Sequence, residues 1–144
     1  MPSMAERVLV ALHSQLRARL PLDVAVVRNV AVPTRVPPAG WVCLRDGDPG
    51  PPEVVMSPLT FIYEHEAELD IIVDALPADR DARFDAIKVL VGAALAQDRT
   101  LGGLCDYVIA EAPVSVDLPV DGGSPLKAAT VGILLTYATA DPLG

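Results

Sequence analysis

The chain has few of the residues on which catalytic, metal-binding and nucleic-acid-binding sites are usually built. Its 144 residues include two cysteines, two histidines, one tryptophan and 11 lysines and arginines. Cys43 and Cys105 lie far from any CxxC spacing, so they are expected to be small buried residues. The sequence contains no GxxxxGK[ST] or GxGxxG phosphate loop and no GxSxG nucleophile motif. These absences exclude the enzyme classes that such motifs define, and no cofactor is predicted.

Long apolar runs and basic clusters are also missing. No run approaches the roughly 18 uncharged apolar residues of a membrane span, and the first residues lack a basic region followed by an apolar one. We therefore expect a protein made in the cytoplasm, with no membrane partner. The net charge is −8, which disfavours tight nucleic-acid binding because phosphate neutralisation needs a positive surface.

The most informative feature that is present is a period-two alternation over residues 60–74. Odd positions are almost all apolar, whereas even positions include Glu64, Glu66, Glu68 and Asp70. The pattern predicts a β-strand with one buried and one acidic face. At about 3.3 Å per residue it would extend roughly 50 Å, far beyond the usual five or six residues. Such a length favours a self-assembling or partner-binding protein over a compact enzyme.

Two helices are predicted on either side of this strand. Ser3 and Glu6 have capping-box spacing ahead of apolar residues that recur every three or four positions, which predicts a helix over residues 4–19. A second helix is expected to begin at a cap near Asp79 and to end by about Asp98.

Strands are predicted for most of the remaining chain. They cover Leu22 to Val32, Trp41 to Arg45, Glu53 to Met56, the long strand, Asp106 to Leu118 with an interruption at Pro113, and Leu126 to Thr139, the last two joined by Val120 to Pro125. The predicted order is α-β-β-β-β-α-β-β with mainly antiparallel connections. This is a single α+β domain over residues 1–144, with a sheet and two helices packed on one face.

Half of the fourteen prolines lie in residues 33–58, which we call the proline-rich segment. Proline cannot donate to a β-ladder, so this segment is expected to form an edge or a projecting arm. Its candidate contacts with a neighbour are Pro37, Pro38, Trp41 and Arg45, because tryptophan is a common interface anchor. Deleting Pro37 to Gly50 is then expected to leave a folded monomer that no longer assembles.

An enzyme is the main alternative. His65-Glu-Ala-Glu-Leu-Asp70 fits the HxxxxD spacing of some acyltransferases, but on a strand His65 and Asp70 have opposite parity and cannot meet within hydrogen-bonding distance. The same parity separates the imidazole from Glu64 and Glu66, which argues against a metal site. No catalytic or metal-ligating residues are predicted. A small cytoplasmic enzyme such as an acyltransferase and a monomeric binding module stay open as alternatives.

The acidic stripe formed by Glu64, Glu66, Glu68 and Asp70 has two interpretations. It can be an ordinary solvated sheet face, on which same-side carboxylates lie about 6.6 Å apart by strand rise. It can instead face an anion, as the wall of a channel that keeps DNA from adhering.

The layout of the whole chain resembles that of phage tail terminator or tail completion proteins, the minor tail protein U group, which also occur in gene transfer agents. The resemblance rests on the helix 4–19, the turn Arg45-Asp-Gly-Asp-Pro-Gly50, Ser57-Pro-Leu-Thr-Phe-Ile-Tyr63 before the long strand, Thr100-Leu-Gly-Gly-Leu104, and the ending Tyr137-Ala-Thr-Ala-Asp-Pro142.

This resemblance implies a virion protein without catalytic residues, made in the bacterial cytoplasm and located at the head–tail junction of a phage, prophage or gene transfer agent particle. It implies a ring, typically a homohexamer, that ends growth of the tail tube. The implied partners are other copies of the chain, the tail tube protein and a head–tail connector or stopper protein. DNA would pass through the ring without specific binding, with the acidic stripe as candidate lumen face.

Overall fold

The fold consists of two helices and a seven-stranded sheet. The computed structural model describes residues 1–119, 123 and 125–144. The elements are α1 (Met4–Arg19), β1 (Ala25–Arg28), β2 (Trp41–Asp48), β3 (Glu53–Met56), β4 (Leu59–Val73), α2 (Pro77–Gln97), β5 (Tyr107–Ala110), β6 (Ser115–Leu118) and β7 (Leu126–Thr139). The predicted α+β class and order are confirmed, with the strand expected over 106–118 divided near Pro113 into β5 and β6. Most of the predicted 120–125 connection lies outside the described residues.

The sheet is organised around its two longest strands. β4 and β7 are antiparallel and in register from Phe61 opposite Thr139 to Val73 opposite Lys127. β2 and β3 follow one another along the other side of β4, and β5 and β6 follow one another along the outer side of β7. β1 adds to β2 in parallel. The sheet is therefore five strands wide, in the order β1-β2-β4-β7-β5, with β3 in line with β2 and β6 in line with β5.

Helix α1 begins and ends as predicted. The Ser3 side chain accepts a hydrogen bond from the Glu6 amide at 3.2 Å, which satisfies one of the free amides of the first turn. Helix α2 begins earlier than predicted. Leu76 occupies the cap position without a side-chain hydrogen bond, Pro77 follows it, and Asp79 lies in the first turn. The prediction of Asp79 as the cap was wrong because proline, which has no amide to satisfy, starts the helix instead.

None of the helices among the described residues is long and apolar enough to span a membrane.

Both helices cover the same face of the sheet. The main core joins α1 and α2 to the odd-numbered residues of β4 and to the facing residues of β2 and β7. In β4 the buried residues of this face are Tyr63, His65, Ala67, Leu69, Ile71 and Val73. The two-faced strand predicted for residues 60–74 is thus confirmed to within one residue at each end.

Arg28, the one charged residue in the apolar alternation of the first strand, ties three elements together. Its guanidinium donates to both carboxylate oxygens of Glu6 on α1, at 2.6 and 2.8 Å, and to Asp46 on β2 at 2.9 Å. The hydrogen bond with Arg28 lowers the pKa of Glu6. The first strand is shorter than predicted because the chain turns at Asn29, which has a φ of +52°. Val30 and Val32 continue the alternation in sequence but lie outside the sheet, about half exposed.

The proline-rich segment does not form one projecting arm, so that prediction was wrong for most of its length. Trp41 begins β2, which lies between β1 and β4 inside the sheet. The Pro37 carbonyl accepts from the Gly40 amide at 3.0 Å, and the Pro38 carbonyl accepts from Arg83 of α2 at 2.7 Å. The prolines flank the inner strand rather than interrupt it. A deletion from Pro37 to Gly50 would therefore remove a structural strand and is not expected to leave a folded monomer.

Trp41 anchors a second, smaller apolar cluster within the chain. The cluster lies on the face of the sheet away from the helices and consists of Val36, Trp41, Cys43, Ile72 and Ala128. Trp41 is only 3% exposed. A tryptophan buried in its own domain cannot serve as an anchor for a neighbour.

We expect Trp41→Ala to lower the free energy of unfolding by about 3–5 kcal/mol, because it removes a large buried side chain and leaves a cavity. Urea denaturation of the purified protein would measure the change. Leu22→Ala, at a fully exposed apolar position, is the control and should change stability by less than about 0.5 kcal/mol. A loss below about 1 kcal/mol for Trp41→Ala would contradict the burial of the Trp41 side chain in this cluster.

Candidate functional site

The face of the sheet away from the helices, which we call the outer face, carries the predicted acidic stripe. Even-numbered residues of β4 point to this side, and Glu64, Glu66 and Glu68 are exposed. In the sheet register Glu68 lies opposite Arg45 of β2 and Gly132 of β7. Among the described residues, none of these three glutamates takes part in a salt bridge. The outer face therefore holds three exposed carboxylates in a row without a salt bridge among the described residues, although Glu68 lies near the Arg45 guanidinium.

Asp70, the fourth predicted member of the stripe, has a different environment. Its carboxylate accepts from Arg45 Nε at 2.7 Å and from the Thr130 hydroxyl at 2.8 Å. Arg45 also donates to the Val30 carbonyl at 2.9 Å, and the hydrogen bond with Asp70 raises the pKa of Arg45. The pair joins β2, β4 and β7 across the outer face. Asp70 is thus a neutralised structural residue, and Arg45 is engaged within its own chain.

Two further carboxylates extend the acidic face beyond the predicted stripe. Asp48 and Glu111 line a shallow cavity of about 210 Å³ together with Glu66 and Glu68. Asp48 lies opposite Glu66 in the register, and the Glu111 amide bonds to the Gly132 carbonyl. Sequence reasoning missed these residues because they come from segments that join the face only through sheet pairing.

Gly47 makes room for this acidic cluster, and Gly132 also borders it. Gly47 has a φ of +68° in the irregularity that shifts the β2 register between Arg45 and Asp48, and a Cβ there would lie 1.9 Å from the Glu66 carbonyl oxygen. A Cβ on Gly132 would lie 3.4 Å from the Glu111 carboxyl group, an ordinary van der Waals contact, so only Gly47 is required to be glycine here. Glycine is required where the backbone adopts positive φ or approaches another chain segment closely. Gly47 is therefore the sequence signal for an irregular backbone at this point.

His65 lies on the opposite side of the strand, buried at 3% exposure. Its Nε2 donates to the Asp46 carbonyl at 2.5 Å, so its Nδ1 accepts from the Tyr137 hydroxyl at 2.8 Å. Burial raises the pKa of Tyr137 to about 12, which keeps that hydroxyl protonated. The predicted separation of His65 from Asp70 is confirmed by these partners. The imidazole therefore binds the backbone of β2 at Asp46, where the register shifts, and does not face a carboxylate.

The remaining chemically reactive groups are dispersed. Cys43 and Cys105 are both buried, as predicted, and burial raises the pKa of the Cys105 thiol to about 11. Within the described residues no group of three or more histidine, cysteine or acidic side chains is arranged to hold a metal ion. A cavity of about 900 Å³ is lined, among the described residues, by the charged residues Arg35 and Asp74 and otherwise by apolar residues, prolines and a glycine. It brings no nucleophile and base together.

A scan against models of known protein families finds no match to this chain, and a search of curated proteins finds no significant match.

The buried hydrogen bond between Tyr137 and His65 gives a test of the described geometry. We expect Tyr137→Phe to lower the free energy of unfolding by about 1–3 kcal/mol, because it leaves the buried Nδ1 without a donor. Tyr107→Phe is the matched control, since Tyr107 is about half exposed, and it should be nearly neutral. Thermal or urea unfolding would measure both. Equal effects of the two substitutions would contradict the assignment.

Proposed function

We propose that this protein is a structural assembly protein of a phage or phage-like particle, a tail terminator that forms a ring on the finished tail tube. The observation that carries the proposal is the asymmetry of the sheet. Both helices cover one face, while the other face presents Glu64, Glu66 and Glu68, which are exposed and form no salt bridge among the described residues. The layout that resembles tail terminators supports the same conclusion.

An unneutralised acidic face suits the wall of a channel through which DNA passes. Carboxylates repel phosphate groups, and at physiological salt the repulsion acts over about 8 Å. Such a wall prevents adhesion at close range without blocking transit. Replacing these glutamates with basic residues would instead favour DNA binding, because basic side chains neutralise phosphates and release their counterions.

In this proposal the outer face of each copy lines the lumen and the helices form the outside of the ring. One end of the ring contacts the tail tube protein and stops the addition of further subunits. The other end contacts the head–tail connector or stopper protein. DNA is a passing cargo that the ring does not bind specifically.

The direct test is the length of tails made without this protein. We expect particles from cells that lack it to carry tails of uncontrolled length that are not joined to heads, as seen by negative-stain electron microscopy. Restoring the gene should restore a uniform length. Tails of normal length, joined to heads in its absence, would contradict the proposal.

A second experiment tests the acidic face. The triple variant Glu64→Lys, Glu66→Lys and Glu68→Lys should fold and form rings, because these side chains are exposed. It should bind DNA in a salt-sensitive manner and slow DNA delivery by otherwise complete particles.

The matched control changes three exposed acidic residues outside the stripe, Asp23→Lys, Asp85→Lys and Asp106→Lys, with the same change in net charge. It should deliver DNA at the normal rate. If the glutamate triple variant also delivers DNA normally, the stripe is an ordinary solvated face.

A further inference from the structure

The strands at the edges of the sheet differ in whether their outward backbone groups have partners. On β1, the Val26 carbonyl accepts from His13 Nε2 of α1 at 3.1 Å. On β5, the Val108 amide donates to the Arg99 carbonyl at 2.9 Å, and the Val108 carbonyl accepts from the Arg99 guanidinium at 3.0 Å. Part of the outward backbone of each of these edges is thereby occupied.

The other two edge strands, β3 and β6, have no such cover in the part of the chain that is described. β3 pairs with β4 alone, and β6 pairs with β7 alone. Each strand carries exposed apolar side chains, with Val55 at 40%, Met56 at 73% and Val116 at 52%, beside the polar residues Glu53, Ser115 and Asp117. Exposed apolar edges promote association with another strand unless charge, proline or cover prevents it.

The two open edges match each other in length and in the face that they present. Each strand has four residues. Prolines bound both strands, at Pro52 and Pro58 around β3 and at Pro113 and Pro119 around β6, which limits pairing to a short window. Val55 and Val116 both lie on the outer face, since they pair with Thr60 and Ala128 respectively.

Their directions are also compatible with ring symmetry. β3 is antiparallel to β4, β4 to β7, and β7 to β6, so β3 and β6 run in opposite directions within one copy. A rotation about the ring axis does not change whether a strand runs up or down along that axis. β3 of one copy and β6 of the next would therefore meet antiparallel, which is the more stable pairing.

The positions of the two strands fit a head-to-tail contact. β3 lies beside the Leu59 end of β4, whereas β6 lies beside the Leu126 end of β7, at the opposite corner of the sheet. Joining opposite corners tilts the strands relative to the ring axis, as closure of a β-barrel requires. Two different surfaces that contact in this way generate a closed ring when the rotation closes.

We infer that β3 of one copy pairs antiparallel with β6 of a second copy of this chain, so that the ring closes as one continuous sheet. The inference rests on the proposed ring-forming function. It adds which edges make the contact and why the outer faces of all copies lie on the same side of the joined sheet.

The experiment compares the assembly of purified full-length variants by native mass spectrometry and light scattering, with circular dichroism as the check on folding. Val55→Lys alone and Val116→Glu alone should each weaken assembly by about twofold or more, because each replaces an apolar cross-strand contact with a charge at the strand edge. The double variant places Lys and Glu at the same contact and should recover part of the ring.

Val89→Lys is the matched control, because Val89 is an exposed valine of α2, 60% accessible and away from both edges. It should leave assembly unchanged. A wild-type protein that stays monomeric at every concentration, or rings that survive both single substitutions, would overturn the edge pairing. These results are separate from the tail-length experiment, which decides the proposed function by itself.

Discussion

The pairing of β4 with β7 is the interaction on which the rest of the fold depends. It joins thirteen consecutive residue pairs, from Phe61 opposite Thr139 to Val73 opposite Lys127. Because side chains alternate between faces with a period of two, this register sends the apolar residues of β4 to the helices and the glutamates to the outer face. A slip of one residue would exchange the two faces, burying carboxylates and exposing the core. The register therefore determines the core and the acidic surface together.

Local patterns were enough to predict the elements whose signals are strong. The cap at Ser3, the limits of α1 and the two faces of β4 follow from spacing alone. The position of β2 does not, because it depends on partners distant in sequence. Trp41 therefore suggested an exposed anchor although it is buried in an inner strand.

The structure places all four acidic residues of the predicted stripe on the outer face, but Asp70 is paired with Arg45 while the three glutamates are exposed. Strand parity places Asp70 on the right face but gives no information about Arg45, which reaches it from β2. Asp48 and Glu111 join the acidic face from separate segments, so they could be found only once the sheet order was known. The proposed function depends on a row of exposed glutamates, on helices confined to the opposite face, and on two strand edges that have no partner among the described residues.

The most direct measurement is a high-resolution electron cryomicroscopy reconstruction of the head–tail junction in intact particles. The account predicts a ring of this chain at the end of the tail tube, with the sheet facing the axis and Glu64, Glu66 and Glu68 lining the channel. A ring in which α1 and α2 line the channel, or in which these glutamates lie on the outer wall, would contradict it.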